Sequence, residues 1–245
     1  MSSLQSALGT NTSVLKGINS LLGNPGAIAE TNDEFAIMAS TEQRFFLSSL
    51  NSTNIGVIKR IGSEDYIGVS IGFFGINEYQ EKRFSLSYSR KIGPNTYIGC
   101  TANYYQLAID EYGSQSDVDL NIGLKSRITK HISVGVAAYN IFSSPDHGYL
   151  RMHTNISTGI QYTISNKVDW LLEIRTDFEN YSAFSTGINY HIIDSLNIQL
   201  GMNTIDNGIA LGFSYNINNK MRIAAASRSN QNLGISPSFT LIYHK

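Results

Sequence analysis

The sequence predicts an all-β chain, folded as a transmembrane antiparallel up-and-down barrel of about 14 strands. Three observations predict it. Most of the chain alternates apolar with small or polar residues, so each run has one greasy and one polar face, as on a strand. The runs are about 9–11 residues long, the length that crosses a bilayer when tilted, where soluble strands average about 5–6. The connections alternate between tight turns and longer loops, as when one end of a barrel faces the periplasm and the other the outside.

Composition fits. Charged residues make up 15 % of the 245 residues, below the roughly 25 % usual for soluble domains. Gly (21) and Tyr (14) are abundant and Pro (4) is scarce. No apolar run approaches the roughly 20 residues of a membrane helix. A net charge of −1 lacks the basic footprint of a nucleic-acid binder. The single cysteine, Cys100, excludes an internal disulfide and reads as a small apolar strand residue in register with Ile98 and Ala102. Met1-Ser2-Ser3-Leu4 has no charged n-region or apolar h-region; since export needs a signal, this reads as a processed chain.

The elements follow in order. Residues 1–33 do not alternate. Val14, Leu15, Ile18, Leu21 and Leu22 have helical spacing, predicting an amphipathic helix over 12–22 with Leu15, Ile18 and Leu22 on one face. Gly23-Asn24-Pro25-Gly26 breaks it. Strands follow at Phe35 towards Phe46, Asn54–Ile61, Asp65–Gly75, Lys82–Lys91, Asn95–Gln106, Ser116–Arg127 and His131–Tyr139. Seven more are Met152–Ile164, Lys167–Asp177, Tyr181–His191, Ser195–Asn203, Asn207–Ile217, Lys220–Arg228 and Gly234–Tyr243. Gly62-Ser63-Glu64, Gly93-Pro94 and Asn218-Asn219 are typical of the tight connections. The longer ones are 76–81, 107–115, 141–150, 178–180, 204–206 and 229–233. Tyr66, Tyr88, Tyr97, Trp170, Tyr190, Tyr215 and Tyr243 fall near strand ends and suit interfacial girdles.

Ala7-Leu8-Gly9, then Asn24-Pro25-Gly26-Ala27-Ile28-Ala29, then a closing Leu233-Gly234-Ile235-Ser236-Pro237-Ser238-Phe239-Thr240-Leu241, resemble FadL-type outer-membrane barrels. Within these they are most similar to the PorV/PorQ-like branch, with Gly26-Ala27 reversed from that branch's usual order. The resemblance implies a 14-stranded barrel (34–245) whose N-terminal segment (1–33) folds into the lumen as a helical hatch or plug. It places the chain in the outer membrane of a Gram-negative (diderm) bacterium, among outer-membrane lipid. Leu15, Ile18, Leu22, Asn24 and Pro25 are then the hatch residues.

Asp119, Lys125, Arg127, Asp169, Glu173, Arg175 and Arg222 carry lumen parity. Such charges pin a plug or pair with each other more often than they bind a solute. No catalytic constellation stands out. His131, His147, His153, His191 and His244 are scattered turn or loop residues without metal-ligand spacing. No metal, no cofactor and no enzyme activity are expected. Asp146-His147 could touch a partner, on exposure alone. The resemblance and the modest loops favour an accessory or scaffold subunit of a protein export or assembly complex, partnered by secretion-complex or other outer-membrane proteins as in type IX secretion. The alternative is a FadL-like channel for small hydrophobic solutes, which requires an apolar pocket near residues 12–28. A soluble all-β binding protein requires the apolar faces to meet a second sheet.

Overall fold

A computed structural model of the chain describes residues 1–142, 153–177, 182–205 and 207–245. Its strands are β1 (Phe35–Gln43), β2 (Asn51–Arg60), β3 (Asp65–Ile76), β4 (Tyr79–Gly93), β5 (Thr96–Ile109), β6 (Gly113–Arg127) and β7 (Ile132–Tyr139). They continue as β8 (Asn155–Ser165), β9 (Val168–Asp177), β10 (Ser182–Ile193), β11 (Leu196–Asn203), β12 (Gly208–Asn218), β13 (Met221–Asn230) and β14 (Gly234–His244). Each pairs antiparallel with its neighbours in sequence, and β1 closes on β14 to make a barrel of 14 strands. Closure leaves no sheet edge, which lets such a sheet sit in hydrocarbon.

The alternation resolves as apolar-out, polar-in. Val69, Leu86, Ile98, Val118, Ile174, Leu200, Ile209 and Leu211 all point outward and are exposed. Ser70, Ser85, Ser87, Thr101, Gln199 and Ser214 point inward and are buried. Among the described residues no second sheet covers the apolar faces, which the soluble alternative requires. Cys100 lies on β5 between the outward-facing Ile98 and Ala102.

Three strands extend further than expected on the loop side. β4 starts at Tyr79, β5 runs to Ile109 and β6 starts at Gly113, shrinking two predicted loops to short turns. The backbone ladder continues there with mostly polar residues on β4 and β6 and with Leu107, Ala108 and Ile109 on β5. The Asp146-His147 loop, the 178–180 loop and Asp206 lie outside the described residues.

Tyr88, Trp170, Tyr190, Tyr215 and Tyr243 face outward near the turn-side end, as a girdle does. Tyr66 and Tyr97 do not. Tyr66 is buried in the lumen, with its hydroxyl 2.7 Å from Arg60 Nε and 3.1 and 3.0 Å from the Thr31 and Asp33 carbonyls. Tyr97 packs inward against the same cluster. Both share parity with lumen glycines, Gly68 and Gly99.

The first 33 residues thread the lumen, from the turn side at Glu34 back towards the loop side. The predicted helix over 12–22 is absent. The segment instead holds a one-turn helix α1 (Ser3–Ala7), capped by Ser2 and Gln5, and two 3-10 turns at Gly17–Ser20 and Pro25–Ala29. Left-handed residues at Gly9 (φ 70°), Thr10 (φ 69°) and Gly17 (φ 59°) break helical continuity. The barrel wall takes up the backbone groups that a helix would have paired internally.

Candidate functional site

Two sets of charge-assisted bonds hold the hatch to the wall. Glu173, inward on β9 and 2 % exposed, accepts from Thr12 N (2.7 Å), Ser13 N (2.8 Å) and Ser13 Oγ (2.7 Å). Arg175 Nη2 bonds Glu173 Oε1 at 3.0 Å and Thr12 Oγ1 at 3.2 Å. Successive backbone N–H groups converging on one carboxylate make an anion nest, here filled by the wall's own side chain. The second set has the opposite sense. Hatch Glu30 meets wall Lys125 at 2.5 Å and Arg127 at 3.0 Å, and Lys125 also donates to the Val14 carbonyl. Burial pushes the Glu30 carboxyl up, but the Lys125 charge and the bonds from Lys125 and Arg127 outweigh it and hold it below its ordinary 4.5.

Asn24 links the two sets. Its Nδ2 donates to the Ser13 carbonyl (2.7 Å) and the Leu124 carbonyl (3.0 Å), and its Oδ1 caps Gly26 N (2.9 Å). Pro25 at the start of the following 3-10 turn fixes the chain direction. The wall makes room with glycine. A β-carbon at Gly123 would strike the Asn24 side chain, one at Gly135 the Ser13 carbonyl, and one at Gly201 the Gly9 amide.

The apolar hatch residues do not share one face. Leu15 packs with Leu8, Val14 and wall Leu171. Ile18 joins Leu21, Ile28, Met38, Ile58 and Ile242, with Leu22 against that cluster. The named hatch residues thus split into two separate contacts with the wall.

Beside the first cluster is a cavity of about 320 Å³. Leu4, Leu8, Val14, Leu15, Leu171 and Ile242 form its apolar side. The opposite side is a hydrogen-bonded set. His191 bonds Asp169 (3.1 Å) and Asn197 (2.6 Å), and Gln199 donates to Asn189 (3.0 Å) and Ser214 (3.1 Å). The cavity shares Lys16, Asn19 and Arg222 with a vestibule of about 750 Å³ at the turn side. A third hollow of about 310 Å³ lies on the loop side of the hatch and includes Arg175 and Tyr139.

Glu173, Arg175, Lys125 and Arg127 hold the hatch, Asp169 and Arg222 line the cavity, and Asp119 is buried on β6. His191 corrects the turn-or-loop reading of the histidines, since it sits in β10 facing the lumen. His244 ends β14 and bonds Asp33 at 2.9 Å, while His147 is outside the described residues. Thr12, Ser13 and Glu30 are pinning residues that the sequence did not expose. They lie in a non-alternating segment whose backbone path carries no periodic signal. Among the described residues no three His, Cys, Asp or Glu side chains are placed to hold a metal ion.

No protein-family model and no curated protein sequence matches the chain. Solved structures do. The Ralstonia pickettii toluene transporter TbuX superposes with a TM-score of 0.77 at 11 % identity, over 100 % of this chain and 98 % of that one. The fold is that of the FadL-type barrels. The Pseudomonas putida toluene transporter TodX gives 0.77 at 10 % identity, over 100 % and 98 % of the two chains. A Pseudomonas aeruginosa FadL homologue gives 0.71 at 10 %, over 100 % and 97 %. These FadL-type neighbours are transporters and channels rather than enzymes.

Proposed function

We propose that this chain is a channel for small hydrophobic solutes in the outer membrane of a diderm bacterium. The cavity beside α1 carries the reading. One side of it is the apolar surface of Leu8, Val14 and Leu15 on the hatch, and its volume falls within the roughly 300–1,000 Å³ of small-ligand pockets. Its mixed walls suit a small apolar body with one hydrogen-bonding group. The way out is axial, past Lys16, Asn19 and Arg222 into the turn-side vestibule. The fold shared with toluene transporters supports the same reading.

The accessory-subunit reading draws on the short PorV-like motifs and on the modest loops. Its partners would be found by purification from membranes in mild detergent.

The channel is tested in proteoliposomes by the influx of a small aromatic alcohol. Ala224 lines the cavity, whereas Ala225 faces lipid. Ala224→Trp should cut influx at least about tenfold with the barrel still folded, and Ala225→Trp should leave it unchanged. Equal flux through both variants and the parent would reject the cavity as the path.

A further inference from the structure

We propose that the loop-side vestibule binds a small oxyanion between Arg44 and Arg83, and so favours anionic solutes at that mouth. This rests on the channel reading and names the solute class that the mouth admits. Two hollows, of about 310 and 250 Å³, meet at these two arginines, Tyr105 and Met1. Arg44 lies over the Phe74 ring, 5.0 Å from its centroid, and Arg83 Nη2 is 3.4 Å from Asn54 Oδ1. Neither guanidinium has a carboxylate within ion-pair distance among the described residues.

The acidic side chains around them are already engaged. Glu42 is bonded by Arg228 at 2.9 Å, and Glu173 by Arg175 and the hatch. Asp119 accepts from Asn103 at 2.9 Å through Oδ1. Glu81 accepts from Tyr79. Among the described residues, Arg44, Lys82, Arg83 and Arg175 thus line these two hollows against a single carboxylate, Glu81. Beside Arg83, the buried Asn54 Nδ2 also lacks a hydrogen-bond partner. A buried donor left unsatisfied is costly, and guanidinium forks match the oxygens of a carboxylate or phosphate. An oxyanion seated here would satisfy Arg44, Arg83 and Asn54.

The test uses the full chain in detergent at low salt, titrated calorimetrically with benzoate, inorganic phosphate and neutral benzyl alcohol. At least one anion should bind, and Arg83→Gln and Arg44→Gln should each weaken it at least about tenfold. Binding of benzoate alone assigns a carboxylate, of phosphate alone a phosphate, and of both a general oxyanion site. Benzyl alcohol should bind the parent and both variants alike. If Arg83→Gln does not fold, Arg44→Gln still decides, because Arg44 lies outside the strands. The proposal is overturned if neither anion binds, or if both bind the variants as tightly as the parent. Loss of benzyl alcohol binding to the parent with anion binding intact would instead defeat the channel reading alone.

Discussion

Replacing Glu173 with Gln should release the middle of the hatch without unfolding the barrel. In the parent, three hatch donors and Arg175 converge on this buried carboxylate at 2.7–3.0 Å. Glutamine removes the charge and turns an NH₂ group towards some of the same donors. Two backbone N–H groups and the Arg175 guanidinium then lose a charged acceptor in a buried place. Hydrogen bonds to charged groups are each worth about 1.5–3 kcal/mol, and breaking a buried ion pair costs about 3–5 kcal/mol. Taking about 3–5 kcal/mol as the whole effect, local opening should become roughly 10²–10⁴-fold more frequent. Hydrogen exchange of a peptide covering residues 10–16 reads this directly. Peptides from β11 and β12 should keep their protection, since the ladder between them is untouched. Unchanged exchange at 10–16 would refute the claim that Glu173 holds the hatch.

Other outcomes follow from the same geometry. Gly135→Val should push the hatch off the wall near Ser13, at about 1–3 kcal/mol for an overpacked contact; proteolysis within residues 10–16 checks it. Leu86→Arg puts a charge on the lipid face at the middle of β4 and should destabilise the barrel by about 2–4 kcal/mol, read by denaturant unfolding in bilayers. Acid should loosen the Glu30 contact. The depressed carboxyl contributes stability that is full above its ordinary 4.5 and is lost as pH falls through its folded value. Protection of residues 28–32, taken relative to the intrinsic exchange rate at each pH, should therefore fall as pH drops through that folded value, and Glu30→Gln should abolish the change.

Much of this was legible as period-two alternation. All 14 strands lie where the runs of Ile, Val, Leu and Phe alternate with Gly, Ser and Thr. The same parity put Glu173, Arg175 and Lys125 in the lumen, and would have moved Tyr66 and Tyr97 there too. The path of residues 1–33 was not legible. Leu15, Ile18 and Leu22 have helical spacing, but the wall offers Thr12 and Ser13 a better acceptor than a helix would, and Gly17 takes a left-handed φ. Nor could spacing show that Gly123, Gly135 and Gly201 seat a second piece of chain. That requirement is set by the hatch, about a hundred residues or more away in sequence.

The central claim is that a small solute occupies the space walled by Leu8, Leu15 and Leu171. A crystal of the protein soaked with a small brominated aromatic, located by its anomalous signal, tests it most directly. The account predicts bromine in that cavity, with the polar end of the solute towards His191 and Gln199. Bromine only on the lipid-facing groove around Leu86 and Tyr104, with the cavity empty, would contradict it.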